Sequence, residues 1–504
     1  MNSQTEQLRK ALRALPALDL SPALAPKGIV LSVGDGVAQV AGIAETGAEE
    51  LVQFDSGAIG LAYDIDTKSI GVVMLAGENR VRAGEGVRAL GQLPSVPTGK
   101  QLLGRLVDPL GRSLDGLPAP GGPRLPALGP APALIDRAPV HVPLVTGVSA
   151  IDAAIPIGRG QRQLVVGDRN VGKTSLALDV VVAQLHSDVP CVYVTIGQPL
   201  SRVLAIREAL IAQNALDHVV LLAAEAADPP GLQYLAPYAG MAVAEGFRKQ
   251  GADVLLVFDD LTKHADAYRE LSLLLGRPPG REAYPGDIFY IHAELLERAT
   301  AFSKSAGGGS ITALPLVETT EGDISAYIPT NLISITDGQL YLDSGRFERN
   351  QRPAIDIGKS VSRIGGAAQD EAMRAIARNL RIDLSRFEAL EALTRVGLDV
   401  DLKTEQTLRR GRLLRELLRQ PRFAFRAVSQ QLVTLLAVEQ GLLSAIPAGE
   451  VRQRVSSISE ADAEAVLALR AAPADPAQEH IASPAFVAKL STLLKVSSTS
   501  LERT

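Results

Sequence analysis

The sequence predicts a multidomain α/β protein: a small N-terminal β-barrel, a central parallel-sheet domain and a C-terminal helical bundle. Three observations carry this. Short alternating apolar runs separated by glycine turns fill residues 26–95. Apolar strands then alternate with helical patterns to about residue 375, and beyond that the periodicity is helical alone. These patterns separate an antiparallel barrel, a sheet buried on both faces and a bundle. At 504 residues the chain also exceeds what one core usually holds. The expected division is a helix or tail over 1–25, a barrel over 26–95, a sheet domain over 96–375 and a helical domain over 376–504.

In the N-terminal segment Leu8, Leu12 and Leu15 fall at helical spacing. This suits either a short amphipathic helix docking on a partner or a frayed tail. The barrel strands are read in Ile29–Val33, Val37–Ala41, Glu50–Phe54 and Ile70–Met74, with turns at Gly34-Asp35-Gly36 and Ser56-Gly57. A connector follows, rich in proline and glycine between Leu117 and Pro130, which cannot continue a helix and is expected to wrap the next domain. Parallel strands are read in Gln163–Gly167, Cys191–Ile196, His218–Leu222 and Val254–Phe258. Residues Tyr327–Gln339 read as a loop, a strand and a turn. Helices are expected around Ala375–Arg381, Leu408–Leu418 and Val428–Ala437, and short helices in the final stretch broken by Pro473, Pro476 and Pro484.

The strongest local signal is Gly167-Asp168-Arg169-Asn170-Val171-Gly172-Lys173-Thr174-Ser175, between the apolar run Leu164–Val166 and the apolar helix start at Leu176. It has the spacing G-x-x-x-x-G-K-[ST] in a strand–loop–helix context. The glycines let successive N–H groups point into one concavity, and the helix adds the positive end of its dipole. Lys173 can reach the β- and γ-phosphates, and the Thr174 hydroxyl can ligate Mg²⁺. The chain is therefore expected to bind a nucleoside triphosphate with Mg²⁺.

A second metal-orienting group belongs at the end of a neighbouring apolar strand. Val254–Phe258 followed by Asp259-Asp260 supplies it, and Asp259 is the better candidate because it directly follows the run. Hydrolysis also needs a group to activate water. The strand after the phosphate loop ends in Gln198, whose amide cannot act as a general base near neutral pH. A site that holds nucleotide without turning it over is expected; the alternative is a Glu distant in sequence but close in space. Arg363, on the small-residue loop Ser360-Val-Ser-Arg-Ile-Gly-Gly366, can project its guanidinium. Its planar fork suits the oxygens of a transferring phosphoryl group. Taken alone, an ordinary surface salt bridge is the default for such an arginine.

Composition narrows the function further. Net charge is −5 and aromatics are 4%, which gives no basic groove with stacking rings for a nucleic acid. The one cysteine, Cys191, lies in a strand-like run and allows no internal disulfide. The six histidines are scattered with no pair at metal-ligand spacing, so no zinc site is expected.

Together the segments resemble the alpha subunit of F-type ATP synthases over about residues 26–440. The resemblance rests on Gly34-Asp-Gly36, Gly158-Arg-Gly-Gln161, the phosphate loop and Asp259-Asp-Leu-Thr-Lys-His264. It continues in Arg277-Pro-Pro-Gly-Arg-Glu-Ala-Tyr-Pro-Gly-Asp287, Pro329–Gln339 and Ser360-Val-Ser-Arg363. Gln198 separates alpha from the catalytic beta sister, which carries Glu there. The resemblance implies a RecA-type central domain and an alternating ring of three alpha and three beta subunits around a gamma shaft. It also implies a peripheral stalk at the N-terminus, an indirect link to a membrane sector and a peripheral place on the cytoplasmic face of a bacterial inner membrane. Lys173, Thr174 and Asp259 would hold Mg-ATP, and Arg352, Pro353 and Gln420 would pack near its adenine. Arg363 would reach into a neighbouring beta subunit's catalytic site.

The sequence departs from the family pattern in several places. Arg422 stands where a second glutamine is usual, Asn170-Val171 replaces Gln-Thr, Lys359 replaces an apolar residue and Pro199-Leu200 replaces a more polar pair. These differences suit a divergent branch, such as a second ATPase beside a standard one. Its coupling ion, H⁺ or Na⁺, would be chosen by membrane subunits. A self-sufficient hexameric ATPase and a nucleic-acid translocase of similar core are the competing readings; the acidic balance speaks against the second.

Overall fold

Six short strands close into a barrel in the N-terminal unit of the chain, which ends at Gln92. The computed structural model describes residues 27–394, 401–443, 446–469 and 484–494. The helix or tail expected over 1–25 lies outside them, as do Pro473 and Pro476. The strands are β1 (Gly28–Gly34), β2 (Val37–Ala41), β3 (Leu51–Phe54), β4 (Ile59–Ile65), β5 (Ile70–Ala76) and β6 (Gly86–Ala89). They pair in the order β1-β2-β5-β4-β3-β6, and β6 returns to β1. Closure removes the exposed edges that strands this short would otherwise present. The interior is filled by Val30, Val40, Val52, Phe54, Val72, Met74 and Val87 among others. Strands β4 and β6 are additions to the sequence reading, because Gly60 and Gly86 interrupt their apolar pattern. A Cβ at Gly60 would run into Val72, so the interruption is a packing requirement.

The second unit begins at Leu93. Strand β7 (Ser95–Pro97) pairs with β9 (Arg124–Pro126) of the connector. Buried Arg298 donates to the Ala127 carbonyl at 2.7 Å and pairs with Glu245 at 2.8 Å, which ties the connector to the body it wraps. The central sheet adds β8 (Leu106–Val107), β10 (Leu164–Asp168), β11 (Cys191–Gln198), β12 (Val219–Glu225), β13 (Asp253–Asp259), β14 (Ser310–Thr319), β15 (Gly338–Leu342) and β16 (Val361–Ser362). Their order is β16-β15-β10-β14-β13-β11-β12-β8, parallel except for the antiparallel edge pair β15–β16. Nearly every residue of β11 to β14 is buried, without the alternation of a half-exposed sheet, so both faces are covered.

Two further segments differ from the sequence reading: the helix expected over Ala375–Arg381 is interrupted between Glu371–Ala377 and Leu380–Thr394, and a strand gives way to a helix. Tyr327–Ile335, read as a loop and a strand, is a helix. Its β-branched residues suggested extension, but Ile328, Leu332 and Ile335 recur at helical spacing and are among the residues it buries. Tertiary burial of that stripe overrides the local preference, and the strand begins only at Gly338.

Beyond the sheet the chain is helical, from Glu371–Ala377 through Leu380–Thr394, Leu402–Leu418, Val428–Glu439, Ala448–Ser456 and Glu460–Leu467 to Pro484–Leu493. Asp370, Asp401 and Ser459 cap three of these helices by accepting from backbone N–H groups. Their apolar faces, including Leu414, Leu417, Val433 and Leu436, join the core that runs under the sheet. Among the described residues no helix is long and apolar enough to cross a membrane.

The helices Leu380–Thr394 and Leu402–Leu418 meet at Phe387 and Gly411, where an added Cβ would collide with the Phe387 ring. Replacing an interior helical glycine with alanine ordinarily gains about 1 kcal/mol. Here Gly411→Ala is expected to destabilise by about 1–3 kcal/mol, because the ring has nowhere to go. Urea unfolding of the full chain measures the sign, and a stabilised variant would refute this packing.

Candidate functional site

The carboxyl ends of β10, β14, β13 and β11 line up along one edge of the sheet, where open α/β sheets bind ligands. The phosphate-loop residues leave β10 there. Asn170 (φ 64°) and Gly172 (φ 100°) adopt left-handed backbone, so the loop curls before the helix Lys173–Ala183 begins. Arg169 and Asn170 are exposed, while Val171 is buried. The Asp168 carboxylate is turned into the fold, accepting from Thr319 Oγ1 (2.6 Å), Gly322 N (2.7 Å) and Ser344 Oγ (2.6 Å). It braces the loop, so only its backbone is available to a phosphate.

Lys173 is 6% exposed, and its Nζ donates to the Gly167 and Asp168 carbonyls at 2.8 Å each. Burial lowers its pKa, while Glu318, Asp260 and Asp259 oppose the shift. Thr174 Oγ1 donates to Asp259 Oδ2 at 2.8 Å, and the Tyr193 hydroxyl donates to the same oxygen at 2.8 Å. Burial pushes the Asp259 carboxyl up, and the Thr174 bond and the Arg202 charge pull it back. Asp260 does different work: its Oδ1 accepts from Lys263 N at 3.0 Å and starts the next helix, Leu261–Leu274. Burial, with Asp259 and Glu318 nearby, raises Asp260 to about 7.

Gln198 closes β11 and is buried. The distant glutamate left open above has a counterpart: Glu318 lies opposite Gly167 in the β10–β14 register, with Oε1 3.9 Å from Lys173 Nζ. Its sequence setting, Leu316-Val-Glu-Thr319 inside a strand, carried no motif that would have marked it. Arg202 was missed for the same reason. It lies in the first turn of the helix after Gln198, and its Nη2 donates to Thr174 Oγ1 at 2.7 Å.

Beside the loop lies a cavity of about 260 Å³ lined by Val171, Gly172, Ser175, Arg352, Pro353 and Gln420, with Asp179, Phe347 and Arg422. Arg352 stacks over the Phe347 ring at 4.7 Å. The Gln420 side chain is engaged internally: Oε1 accepts from Ser149 N (3.2 Å) and Nε2 donates to the Gly147 (2.6 Å) and Ala424 carbonyls. It therefore shapes the cavity wall and offers no free amide to a ligand.

Arg363 is separate from this constellation. It is exposed and follows β16, whose Ser362 pairs with Gly338 at the start of β15. The phosphate loop leaves the other end of the sheet, with Gly167 level with Leu342. Among the described residues the guanidinium has no ion pair, and its one hydrogen bond reaches the Ile333 carbonyl at 3.5 Å. The default salt bridge is thus not formed. Two histidines scattered in sequence do meet: His264 Nδ1 and His292 Nε2 are 3.3 Å apart in the core, and burial lowers both pKa values.

This geometry has close kin. The sequence profile for the nucleotide-binding domain of the ATP synthase alpha/beta family matches residues 147–362, and the profile for the C-terminal domain of the alpha/beta chain matches 369–469. The chain is 50% identical over 435 residues to ATP synthase subunit alpha 2 of Nitrosospira multiformis, covering 86% of this chain and 85% of the relative. It is 47% identical over 470 residues to ATP synthase subunit alpha 2 of Syntrophotalea carbinolica, covering 91% and 90%. The chain belongs to the ATP synthase alpha/beta family. Within the family it is an F-type alpha subunit of a divergent branch, and the barrel, sheet and helical region match the alpha/beta fold.

The alpha/beta fold here carries an acidic group in its cavity wall. Asp179 accepts from Phe423 N at 2.8 Å, and burial pushes it up to about 6 despite Arg422. A carboxyl raised on folding costs stability once ionised: nothing near pH 4, increasing from there and complete above about pH 6. Asp179→Asn keeps the acceptor and removes the charge. The variant is expected to be more stable by up to about 3 kcal/mol at about pH 8, the difference closing as pH falls towards 4. Unfolding curves across that range test it, and a pH-independent difference would contradict it.

Proposed function

We propose that this chain is the non-catalytic, nucleotide-holding alpha subunit of a rotary ATP synthase, and that it lends Arg363 to the catalytic site of an adjacent beta subunit. The observation carrying this reading is the position of Arg363. It is an exposed guanidinium without an ion pair among the described residues, at the end of the sheet away from the chain's own phosphate loop. An arginine so placed cannot serve the site on its own subunit but is free to serve one across an interface.

The chain's own site has the parts to hold Mg-ATP. The loop amides from Gly167 to Ser175 and the Lys173 ammonium would take the phosphates, and the 260 Å³ cavity beside Arg352 and Pro353 would take the base. Thr174 and Asp259 offer one hydroxyl and one carboxylate, the small protein donor set that suits Mg²⁺ when phosphates and water complete its shell. The ion would neutralise phosphate charge; the chain's residues orient it and exclude water. Turnover would require a base. Gln198 is an amide, and Glu318 is engaged by the Lys173 ammonium, 3.9 Å from its Oε1.

In this reading three alpha and three beta subunits alternate around a gamma shaft. A peripheral stalk meets the N-terminal segment, and the assembly sits on the cytoplasmic face of a bacterial inner membrane. Its membrane sector moves H⁺ or Na⁺. In the assembled complex, Arg363→Ala is expected to leave nucleotide binding to this subunit near normal and to reduce steady-state turnover by on the order of 10³–10⁵. Full-speed turnover by that complex would remove the finger. The isolated chain is expected to retain ATP without releasing phosphate. Steady release abolished by Glu318→Gln would instead favour a self-sufficient ATPase with Glu318 as its base.

A further inference from the structure

Asp179 stands one helical turn beyond Ser175 on the loop helix Lys173–Ala183, on the same face, so the cavity wall runs from Gly172 and Ser175 to Asp179. It also lines a narrower recess with Thr146 and Phe425, and the two spaces share Pro353 and Gln420. The carboxyl therefore stands at the end of the cavity away from the phosphate loop, where a base would lie. Its Oδ1 accepts from Phe423 N at 2.8 Å. Among the described residues no other donor reaches it, and Arg422 acts on it through charge without forming an ion pair. One carboxylate oxygen, Oδ2, is left unengaged.

The other walls cannot choose a base. Arg352 lies over the Phe347 ring at 4.7 Å and with Pro353 offers a flat surface on which any base can stack. The Gln420 amide is spent on Ser149, Gly147 and Ala424. Arg422 lies over the Phe423 ring at 4.4 Å and has donors alone. Those suit N3 or N7 of a purine, which adenine and hypoxanthine share, so Arg422 adds grip and not choice. Choice falls to Asp179. Its single open oxygen can accept one donor, and adenine presents one at C6 in its exocyclic amine. Hypoxanthine presents a carbonyl oxygen at C6, which a carboxylate repels.

We propose that Asp179 selects the base of the bound nucleotide, its unengaged oxygen accepting from the exocyclic amine of adenine. The proposal rests on the nucleotide-site reading above and adds which residue sets base choice. In this chain a carboxylate on the loop helix does the selecting, with the Gln420 amide confined to holding the wall. A hydrogen bond to a charged acceptor in such a cavity gives roughly ten- to a hundredfold in affinity. Asp179→Asn is the informative substitution. Asparagine can meet Phe423 N with its carbonyl oxygen, which turns its NH₂ towards the base, so an acceptor becomes a donor.

The test is equilibrium dialysis of labelled ATP and labelled inosine triphosphate against the full-length chain in excess Mg²⁺, for the native protein, Asp179→Asn and Arg422→Ala. The native chain is expected to prefer ATP by about ten- to a hundredfold. Asp179→Asn is expected to erase or invert that preference, and Arg422→Ala to weaken both nucleotides in parallel. Equal weakening of both by Asp179→Asn would make Asp179 merely structural. A preference that Asp179→Asn left intact, or that Arg422→Ala abolished, would move base choice elsewhere; each of these results overturns the proposal, as does a native chain that binds both nucleotides equally. A native chain that bound neither would instead defeat the nucleotide-site reading itself.

Discussion

The Asp259 carboxylate is buried at the end of β13, and the local arrangement of the site follows from keeping it there. An ionised carboxylate removed from water costs several kcal/mol unless hydrogen bonds and opposite charge replace its hydration. Two hydroxyls do so on a single oxygen: Thr174 from the first turn of the loop helix and Tyr193 from the middle of β11. Those bonds fix the height of the helix start against two strands, and with it the direction in which the loop amides point. The β11–β13 register, which sets Thr195 opposite Asp259, is held by the same requirement. Asp260, one residue on, cannot share this role because its side chain is spent on starting the next helix.

Charge balance along the sheet edge accounts for the rest of the constellation. Lys173 and Arg202 face three carboxylates, one of which, Asp260, is pushed up to about 7 by its neighbours and its burial. A cluster so close to overloaded with negative charge suits a site completed by a divalent cation more than by polyphosphate alone. The exposed guanidinium of Arg363 contributes nothing to this balance, because the sheet register sets it at the opposite end. The chain thus keeps one arginine out of reach of its own acidic edge, which is what a donation to a neighbour would require.

The phosphate loop, the strand ending in Asp259 and the amide at 198 were legible in the sequence because each is a local pattern: fixed spacing, an apolar run with an acidic end, a strand terminus. The four barrel runs and the C-terminal helices were legible for the same reason, through periodicity. What escaped was whatever tertiary contact decides. Tyr327–Ile335 looked extended until its buried stripe was seen, and β4 and β6 were hidden by Gly60, which Val72 demands, and by Gly86. Glu318 and Arg202 sit in a plain strand and a plain helix, and only the strand order brings them to Lys173 and Thr174. His264 and His292, 28 residues apart, meet through the packing of two helices. Arg363 was legible as a residue type on an open loop, but its lack of a partner was not.

The amide at position 198 gains a second meaning from this arrangement. A glutamate there would add a further carboxylate to a sheet edge that already holds Asp259, Asp260 and Glu318 against two cations. Like charges gathered in a buried region raise one another's pKa or repel an anionic ligand. A site that turns nucleotide over must accept that repulsion to have its base; a site that only retains nucleotide gains by omitting it. Glutamine keeps the shape and a hydrogen-bonding group at the strand end while adding no charge. The proposed retention of nucleotide and the proposed absence of turnover are therefore two consequences of one substitution, acting through the electrostatics of the edge and not through any change in fold.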